Sequence, residues 1–411
     1  MIAMKRLLFV CFTFLLAVQA FPQYKNDNVA FKTLDWTELC NTLKNNKGYL
    51  LLDVRSKGEF SDTSSFAQLN IGHLKDAVNI SVQELSKRLS EINADKNRPV
   101  FIYCSHSQRS RRAGKMLADS GFTHLYNING GMTALYYSNA KTNPCLKELL
   151  VSQNSYDVLS ATEVVQKLDK GPGKIFILDV RSDSAFKHIS TDAKVNAFGS
   201  LKGTVNIPFE SISDKLSAIP HDKEIIVTDI YGREASKTAT LLRSKGYEHV
   251  SVLLEGLERW QAEENPNAAN KSKWYQPAVS YKLLNTLGFN EWIQSHPDGL
   301  ILDVRTTDAF GNTHKDAFRN IGHVKNARNI PAAEIDAQIA GLAAYKNKPV
   351  VIYSFSGDPD SHKVAQALVK DGFTDVQVLI TGLFDIRWTA HNIKGMMFLQ
   401  DLVTDVPEIN R

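Results

Sequence analysis

Residues 50–60 read LLLDVRSKGEF, and the chain repeats this motif twice, as FILDVRSDSAF at 176–186 and as LILDVRTTDAF at 300–310. The aspartates of the three copies are Asp53, Asp179 and Asp303, which lie 126 and 124 residues apart. Repeats of this length are whole domains, because the repeats of solenoid proteins span only about 20 to 50 residues. The sequence therefore predicts three tandem units of one fold, called units one, two and three below.

Further signals recur in the same order in each unit. The segments NIGHLKDAVNI, SLKGTVNIP and NIGHVKNARNIP follow the three motifs, and late glycines follow them in turn at Gly131, Gly256 and Gly382. Short apolar runs alternate with segments of helical spacing, and two helix starts carry the pattern of a capping box, Asp35 with Glu38 and Ser160 with Glu163. This alternation is typical of an α/β fold in which helices flank a central, mainly parallel sheet.

The limits of the units follow from the segments that lack periodicity. Residues 138–155 and 264–277 are rich in Asn, Lys and Ser and contain Pro, so we interpret them as regions of linker. The predicted domains are residues 21–146, 155–263 and 278–411.

The first twenty residues have the pattern of a secretory signal peptide. Lys5 and Arg6 precede an apolar segment, and Val18 and Ala20 fit a cleavage site. The apolar segment is about 12 residues long, whereas a helix that spans a bilayer needs about 20. We therefore expect residues 1–20 to be removed, a periplasmic or secreted protein, and no stable membrane span afterwards.

Charge and composition limit the classes of partner. The chain has 411 residues, of which 43% are hydrophobic, and its 48 basic and 44 acidic residues give a net charge of +4. Apart from Arg109, Arg111 and Arg112, neither sign forms a cluster, which argues against nucleic acid as a partner. The sequence predicts no metal and no cofactor.

The arginine cluster directly follows a cysteine in the segment FIYCSHSQRSRRAGKMLADSGF, residues 101–122. Cys104 ends an apolar strand, and a helix begins a few residues later. Backbone amides and the helix dipole favour an anion at such a junction, so a thiolate, a persulfide or an oxyanion would be stabilised there. A buried, inert cysteine is the alternative, but packing does not explain the basic, polar loop beside it.

The motifs LLDVRSKGEF, NIGHLKDAVNI and YCSHSQRS resemble those of rhodanese sulfurtransferase domains, and the resemblance covers all three units. It implies that Cys104 is the catalytic nucleophile, which takes sulfane sulfur from a small anionic donor such as thiosulfate and passes it to cyanide or a thiol. The residues expected to bind the substrate are Ser105, His106, Ser107, Gln108, Arg109, Ser110 and Arg55. Many relatives have glycine where Ser107 stands, so we expect this loop to take left-handed backbone angles less easily.

The length of the loop separates this chemistry from a related one. Phosphatases and arsenate reductases that resemble this design place arginine after five intervening residues, whereas four residues separate Cys104 from Arg109. The shorter loop resembles the sulfurtransferase version, which holds a single sulfur atom.

The other two units depart from the pattern. Asp229 and Ser354 stand where unit one has Cys104, and neither side chain can form a persulfide. Unit two also has Glu234 in the place of Arg109, and unit three has Asp358 and Pro359 in its loop. We therefore expect both units to be non-catalytic modules, through which a protein partner can bind.

Two other functions use the same residues. The chain could be a non-catalytic binding or scaffold protein, or Cys104 could exchange thiols or sense oxidants. His106 could act as an acid or base, although we expect it to be an exposed loop residue.

The remaining cysteines pose a separate question. After removal of the leader the chain keeps Cys40, Cys104 and Cys145, an odd number for an oxidising compartment. Cys40 lies in the first predicted helix of unit one and Cys145 follows the last, so a disulfide between them would join the ends of the unit. The alternative is that both are unpaired apolar residues.

Overall fold

The computed structural model describes residues 31–137, 143–262 and 271–407. The predicted leader, residues 1–20, lies outside the described residues. In the part of the chain that the structure describes, no helix is both long and apolar enough to cross a bilayer.

Unit one contains a first set of strands and helices. In chain order these are β1 (Lys32–Leu34), α1 (Trp36–Asn45), β2 (Leu50–Asp53), α2 (Lys57–Phe60), β3 (His73–Leu74), β4 (Val78–Asn79), α3 (Leu85–Arg88), β5 (Val100–Tyr103), α4 (Gln108–Asp119), β6 (Leu125–Ile128), α5 (Gly131–Tyr137), α6 (Pro144–Leu149) and β7 (Leu150–Val151).

Unit two has the same order of main strands and helices, with an additional helix before its third strand and no α-helix between its fourth and fifth strands. Its elements are β8 (Asp157–Leu159), α7 (Ala161–Lys170), β9 (Ile175–Asp179), α8 (Asp183–Phe186), α9 (Ala193–Ala197), β10 (Ser200–Leu201), β11 (Val205–Asn206), β12 (Glu224–Thr228), α10 (Arg233–Ser244), β13 (Val250–Leu253), α11 (Gly256–Ala262), α12 (Lys271–Trp274) and β14 (Tyr275–Gln276).

Unit three repeats it again. Its elements are β15 (Lys282–Leu284), α13 (Thr286–Ser295), β16 (Leu300–Asp303), α14 (Thr307–Phe310), β17 (His323–Val324), β18 (Arg328–Asn329), α15 (Ile335–Gln338), β19 (Val350–Tyr353), α16 (Pro359–Lys370), β20 (Val376–Leu379), α17 (Gly382–Asn392) and β21 (Val403–Thr404).

Each unit is built on a parallel five-stranded sheet, which confirms the predicted α/β class. The strand order in unit one is β1-β6-β5-β2-β4, and the other two sheets have the same order, β8-β13-β12-β9-β11 and β15-β20-β19-β16-β18. The central strands β2 and β5 are buried along their whole length, as expected when helices cover both faces of a parallel sheet. Both predicted capping boxes are present, at the starts of α1 and α7.

The repeated Asp-Val-Arg motif forms a buried ion pair. The Arg55 guanidinium donates from Nε and Nη2 to the carboxylate of Asp53, and Nη2 also donates to the carbonyl of Gly72 at 2.6 Å. The same bidentate pair joins Arg181 to Asp179 and Arg305 to Asp303. Because all three units contain it, the motif serves the fold and not a reaction limited to unit one.

Units one and two extend beyond their predicted limits. After the last helix of unit one, β7 pairs antiparallel with β3, and in unit two β14 pairs antiparallel with β10. The predicted limits at residues 146 and 263 leave out these short strands, since two-residue strands have no periodicity that marks them in a sequence.

The ends of unit one are joined covalently. The structure confirms the disulfide between Cys40 in α1 and Cys145 in α6, whose Cα atoms are 6.4 Å apart. Among the described residues, Cys104 is the free cysteine.

The units also pack on one another through equivalent elements. Residues 67–69 of unit one pack on α10 of unit two, and α9 of unit two packs on α16 of unit three. Unit three returns to unit one through Lys394, whose ammonium group lies 3.1 Å from Glu38 and 3.4 Å from Asp35.

Candidate active site

Cys104 lies at the carboxyl end of β5, the middle strand of its sheet, and is 1% exposed. The loop of residues 104–107 leads directly into α4, which begins at Gln108. The carboxyl edge of a parallel sheet is where ligands bind in open α/β folds, because helix N-termini meet there. The structure thus places the predicted nucleophile at the predicted kind of position.

The turn into α4 needs a left-handed residue, and unit one uses a serine. Ser107 has φ +79°, while its counterparts Gly232 and Gly357 have φ +83° and +66°. The serine of unit one thus adopts the left-handed conformation that the glycines of the other units adopt. Left-handed backbone costs a non-glycine residue about 1 kcal/mol. The buried Ser107 hydroxyl offsets this cost, because it accepts a hydrogen bond from the Gly130 amide at 2.6 Å and donates to the Ile128 carbonyl at 3.3 Å.

Helix α5 holds the loop from the other side. The amide of Met132 donates to the carbonyl of Cys104 at 2.8 Å, and the amide of Thr133 donates to the carbonyl of Ser105 at 3.0 Å. This approach requires the late glycine, because a Cβ atom on Gly131 would lie 2.4 Å from the Cys104 carbonyl oxygen. Units two and three use Gly256 and Gly382 in the same way. The repeated glycines therefore allow the helix to pack on the loop backbone, and they do not mark a ligand site.

In unit two the loop amides bind a carboxyl group. The carboxylate of Asp229, which stands in the place of Cys104, accepts hydrogen bonds from the amides of Gly232 and Ala235. These two residues correspond to Ser107 and Ser110 of unit one. The loop of unit two is therefore filled by its own side chain. In unit three Ser354 is also engaged internally, since its hydroxyl accepts from the amide of Asp358 at 2.7 Å.

A polar pair beside Cys104 is specific to unit one. The Ser110 hydroxyl lies 3.6 Å from the Cys104 sulfur and 2.6 Å from Oδ1 of Asn127, a fully buried residue of β6. Nδ2 of Asn127 is buried without a hydrogen-bond partner among the described residues. Sheet pairing aligns Asn127 with Val252 and Val378 of the other units. The unit that has the cysteine is therefore the one that has a polar side chain at this strand position.

Arg109 is held in place by a buried carboxylate. Its guanidinium donates to both oxygens of Glu59, at 2.6 and 2.7 Å, and to the Ser105 hydroxyl at 2.8 Å. Burial raises the pKa of Glu59, but the bonds from Arg109 and Ser56 lower it below its ordinary value. Where unit two replaces Arg109 by Glu234, the counterpart of Glu59 is Ala185, which avoids two facing carboxylates.

The structure corrects the expected position of His106. Its ring is half-buried, and Nε2 lies 2.6 Å from Oε1 of Glu255, a residue of unit two. Nδ1 lies 2.9 Å from the Ser105 hydroxyl, and the ring edge faces Trp388 of unit three at 6.4 Å between centroids. The Cys104 loop is therefore bordered by all three units.

The other predicted binding residues divide into two groups. Ser105, Ser107 and Ser110 are buried in the loop, and Gln108 is exposed at the first turn of α4. Arg55 is different, because its side chain is 0% exposed and its charge is paired with Asp53. The structure thus gives Arg55 a scaffold position without access to a ligand.

A family model for the rhodanese-like domain matches residues 37–137, 160–263 and 288–387, about three quarters of the chain. The chain belongs to the rhodanese-like domain family. Each match coincides with one of the three parallel sheets, so the predicted fold of three tandem rhodanese-like domains is confirmed.

The similar proteins match single rhodanese-like domains. An uncharacterized protein YqhL of Bacillus subtilis is 41% identical over 81 residues, which are 20% of this chain and 56% of that protein. Thiosulfate sulfurtransferase GlpE of Shewanella oneidensis is 30% identical over 111 residues, 27% of this chain and 98% of that protein. A tRNA uridine(34) hydroxylase of Buchnera aphidicola also matches, at 27% identity over 26% of this chain and 31% of that protein.

Among solved structures, a thiosulfate sulfurtransferase from Pseudomonas aeruginosa aligns with 85% of this chain and 66% of its own, at 18% identity and a TM-score of 0.22. Thiosulfate sulfurtransferases are among the proteins that this chain matches.

Proposed function

We propose that this rhodanese-like protein is a sulfurtransferase in which Cys104 of unit one carries the sulfur as a persulfide. The observation that supports this most directly is the comparison of the loops within the chain. In unit two the loop amides bind the Asp229 carboxylate, which stands where unit one has the Cys104 side chain. The amides of Ser107 and Ser110 are the counterparts in unit one of the two amides that bind Asp229, and we expect them to stabilise a charged sulfur there.

With thiosulfate as the donor, the reaction has two balanced halves. The Cys104 thiolate attacks the sulfane sulfur, an S–S bond forms to Sγ, and the S–S bond of thiosulfate breaks with its electron pair leaving on sulfite. The terminal sulfur of the persulfide then carries the negative charge. An acceptor, cyanide or a thiolate, attacks this sulfur, and the Cys104 thiolate leaves with the electron pair of the Cys104 S–S bond.

Each loop residue has a role in this scheme. The amides that follow Cys104 stabilise the sulfur anion, and the Ser110 hydroxyl, 3.6 Å from Sγ, is within hydrogen-bond reach of it. Arg109 adds less positive charge than its position suggests, because Glu59 neutralises it through two hydrogen bonds. Units two and three carry no thiol in their loops and are non-catalytic in this reaction, so they remain candidates for binding a protein partner.

We also propose that the protein acts after export, in the periplasm or outside the cell. Two features support this proposal, the signal-peptide pattern of residues 1–20 and the disulfide between Cys40 and Cys145, a bond that persists in oxidising compartments.

The test is to incubate the purified chain with thiosulfate and to locate added mass by peptide mass spectrometry. We expect one additional sulfur atom per chain on Cys104 and none in Cys104→Ser. Sulfur on Cys40 or Cys145, or no sulfur at all, would contradict the proposal. A chain that forms sulfenic acid or mixed disulfides at Cys104 but never a persulfide would support the thiol-redox alternative.

A further inference from the structure

A line of hydrogen bonds runs from unit two into the loop of unit one. Oε1 of Glu255 contacts Nε2 of His106 at 2.6 Å, and Nδ1 of His106 contacts the Ser105 hydroxyl at 2.9 Å. Ser105 is 4% exposed, directly follows Cys104, and accepts a hydrogen bond from Nη2 of Arg109 at 2.8 Å. The Glu255 carboxylate belongs to unit two, which has no cysteine. It is thus connected through His106 to Ser105, the residue that follows Cys104.

The fold itself does not call for a carboxylate at position 255. Glu255 has a left-handed backbone, φ +54°, and its counterpart in unit one is Gly130, at φ +68°. Its side chain is only 18% exposed, and burying a carboxylate is unfavourable unless partners compensate. Strained, buried charged residues of this kind are concentrated at functional sites.

The partners of Glu255 keep it ionised. Burial raises its pKa, but His106, Arg259 and the Tyr137 hydroxyl together bring the pKa down to about 2. Nε of Arg259 lies 3.9 Å and the Tyr137 hydroxyl 3.4 Å from Oε2. Since a carboxylate only accepts hydrogen bonds, Nε2 of His106 carries a hydrogen whichever form the ring adopts.

The protonation state of the His106 ring then decides which group receives the single hydrogen of the Ser105 hydroxyl. If the ring is neutral, Nδ1 is an acceptor and takes this hydrogen. If the ring is an imidazolium, Nδ1 donates to Ser105. The hydroxyl then accepts from both His106 and Arg109, and its own hydrogen is available to another acceptor in the loop that follows Cys104. Among the residues that the structure describes, the other groups in contact with His106 are the Thr133 hydroxyl, at 3.2 Å, and the uncharged ring of Trp388.

We infer that Glu255 of unit two is a positioning residue for the chemistry of unit one, acting through His106 on Ser105 and Arg109 of the loop that follows Cys104. This inference rests on the proposed function. It gives unit two a definite task, because a chain that lacked this unit would lose the partner that orients His106.

The central variant is Glu255→Gln, which keeps a hydrogen-bonding group of the same size and removes the charge. We expect kcat/KM for thiosulfate to fall about tenfold, the usual difference between a charged and a neutral hydrogen bond. The pH–rate profile should also differ from that of the wild type, because the glutamine removes the negative charge that faces His106. The matched control is Glu258→Gln in α11, whose carboxylate is paired with Lys194 at 2.6 Å and which should leave rate and profile unchanged.

A double-mutant cycle tests whether the effect passes through His106. In a His106→Gln background, Glu255→Gln should change kcat/KM by less than about twofold. An equal loss in both backgrounds would overturn the inference, as would wild-type rate and pH dependence in Glu255→Gln. Circular dichroism of each variant verifies folding.

A measurement without any donor separates this inference from the proposed function. The pH profile for alkylation of Cys104 by iodoacetamide should differ between the wild type and Glu255→Gln, and the difference should vanish in His106→Gln. If the wild type takes up no sulfur from thiosulfate, the proposed function fails. If the wild type and Glu255→Gln have identical alkylation profiles, the inferred effect of Glu255 on Cys104 is overturned, whatever the result with thiosulfate.

Discussion

Substitutions at Glu59 and Arg109 can give the loop of unit one the charge that the loop of unit two has. The Glu59 side chain is 5% exposed and that of Arg109 is 26% exposed. Removing one member of a buried ion pair costs about 3 to 5 kcal/mol, because the other charge is left buried. Since Arg109 retains some contact with water, we expect Arg109→Glu to lower the unfolding free energy of unit one by about 3 kcal/mol.

The double variant Glu59→Ala/Arg109→Glu reproduces the residues of unit two, Ala185 and Glu234. The double variant removes the Glu59 carboxylate, which has no ionic partner in Arg109→Glu. Its unfolding free energy should therefore return to within about 1 kcal/mol of the wild-type value. Its affinity for thiosulfate should stay low, because a negative residue then borders the sulfur site. The single and double variants therefore separate the structural role of the pair from its effect on the anion.

Hydrogen exchange of peptides that cover β5 and α4 measures the opening free energy of unit one without interference from the other units. Thiosulfate loading of Cys104 measures anion binding in the same samples. The pair keeps the pKa of Glu59 below its ordinary value of 4.5, so its contribution to stability should be present above about pH 4.5 and should disappear as the pH falls further. The reasoning is refuted if Arg109→Glu is as stable as the wild type, or if the double variant binds thiosulfate as well as the wild type.

Four further predictions concern unit two and the disulfide of unit one. Burial raises the pKa of Asp229 from 3.8 to about 6, so the neutral carboxyl stabilises unit two at low pH and this contribution is lost as the pH rises from about 4 to 6. Asp229→Asn should abolish this loss, on the order of 3 kcal/mol, in urea titrations at the two pH values. Asp229→Cys should acquire no sulfur from thiosulfate, because Glu234 opposes an anion, and a sulfur-loaded peptide spanning position 229 in the mass spectrum of this variant would contradict the prediction. Thiol titration of the denatured, unreduced chain lacking residues 1–20 should find one free thiol, whereas three would exclude the disulfide. Replacing both Cys40 and Cys145 by serine should lower the unfolding free energy by up to about 4 to 5 kcal/mol for a segment of 105 residues.

Comparison of the repeats within the sequence was sufficient to predict the fold, and it singled out Cys104 as the candidate nucleophile. The spacing of Asp53, Asp179 and Asp303 separates the three units, and alternating apolar runs indicate their parallel sheets. The same comparison held a signal that our sequence analysis missed. Asn127 occupies a strand position where the other units have Val252 and Val378, and a polar residue in a buried strand points to a site. These features are readable because periodicity and strand-end position are local properties of the chain.

The tertiary structure alone decided which charges meet. Glu255 reaches His106 across 149 residues of sequence, and Glu59 reaches Arg109 across 50. Conversely, Arg55 carries a charge that sequence reasoning assigned to a ligand, but the fold pairs it with Asp53 beneath the surface. Such partnerships depend on how helices and whole units pack, and packing brings together residues whose separation along the chain carries no period. The sequence by itself therefore determined three rhodanese-like units and the one loop that carries a cysteine, and the packing of the units determined the residues that surround this loop.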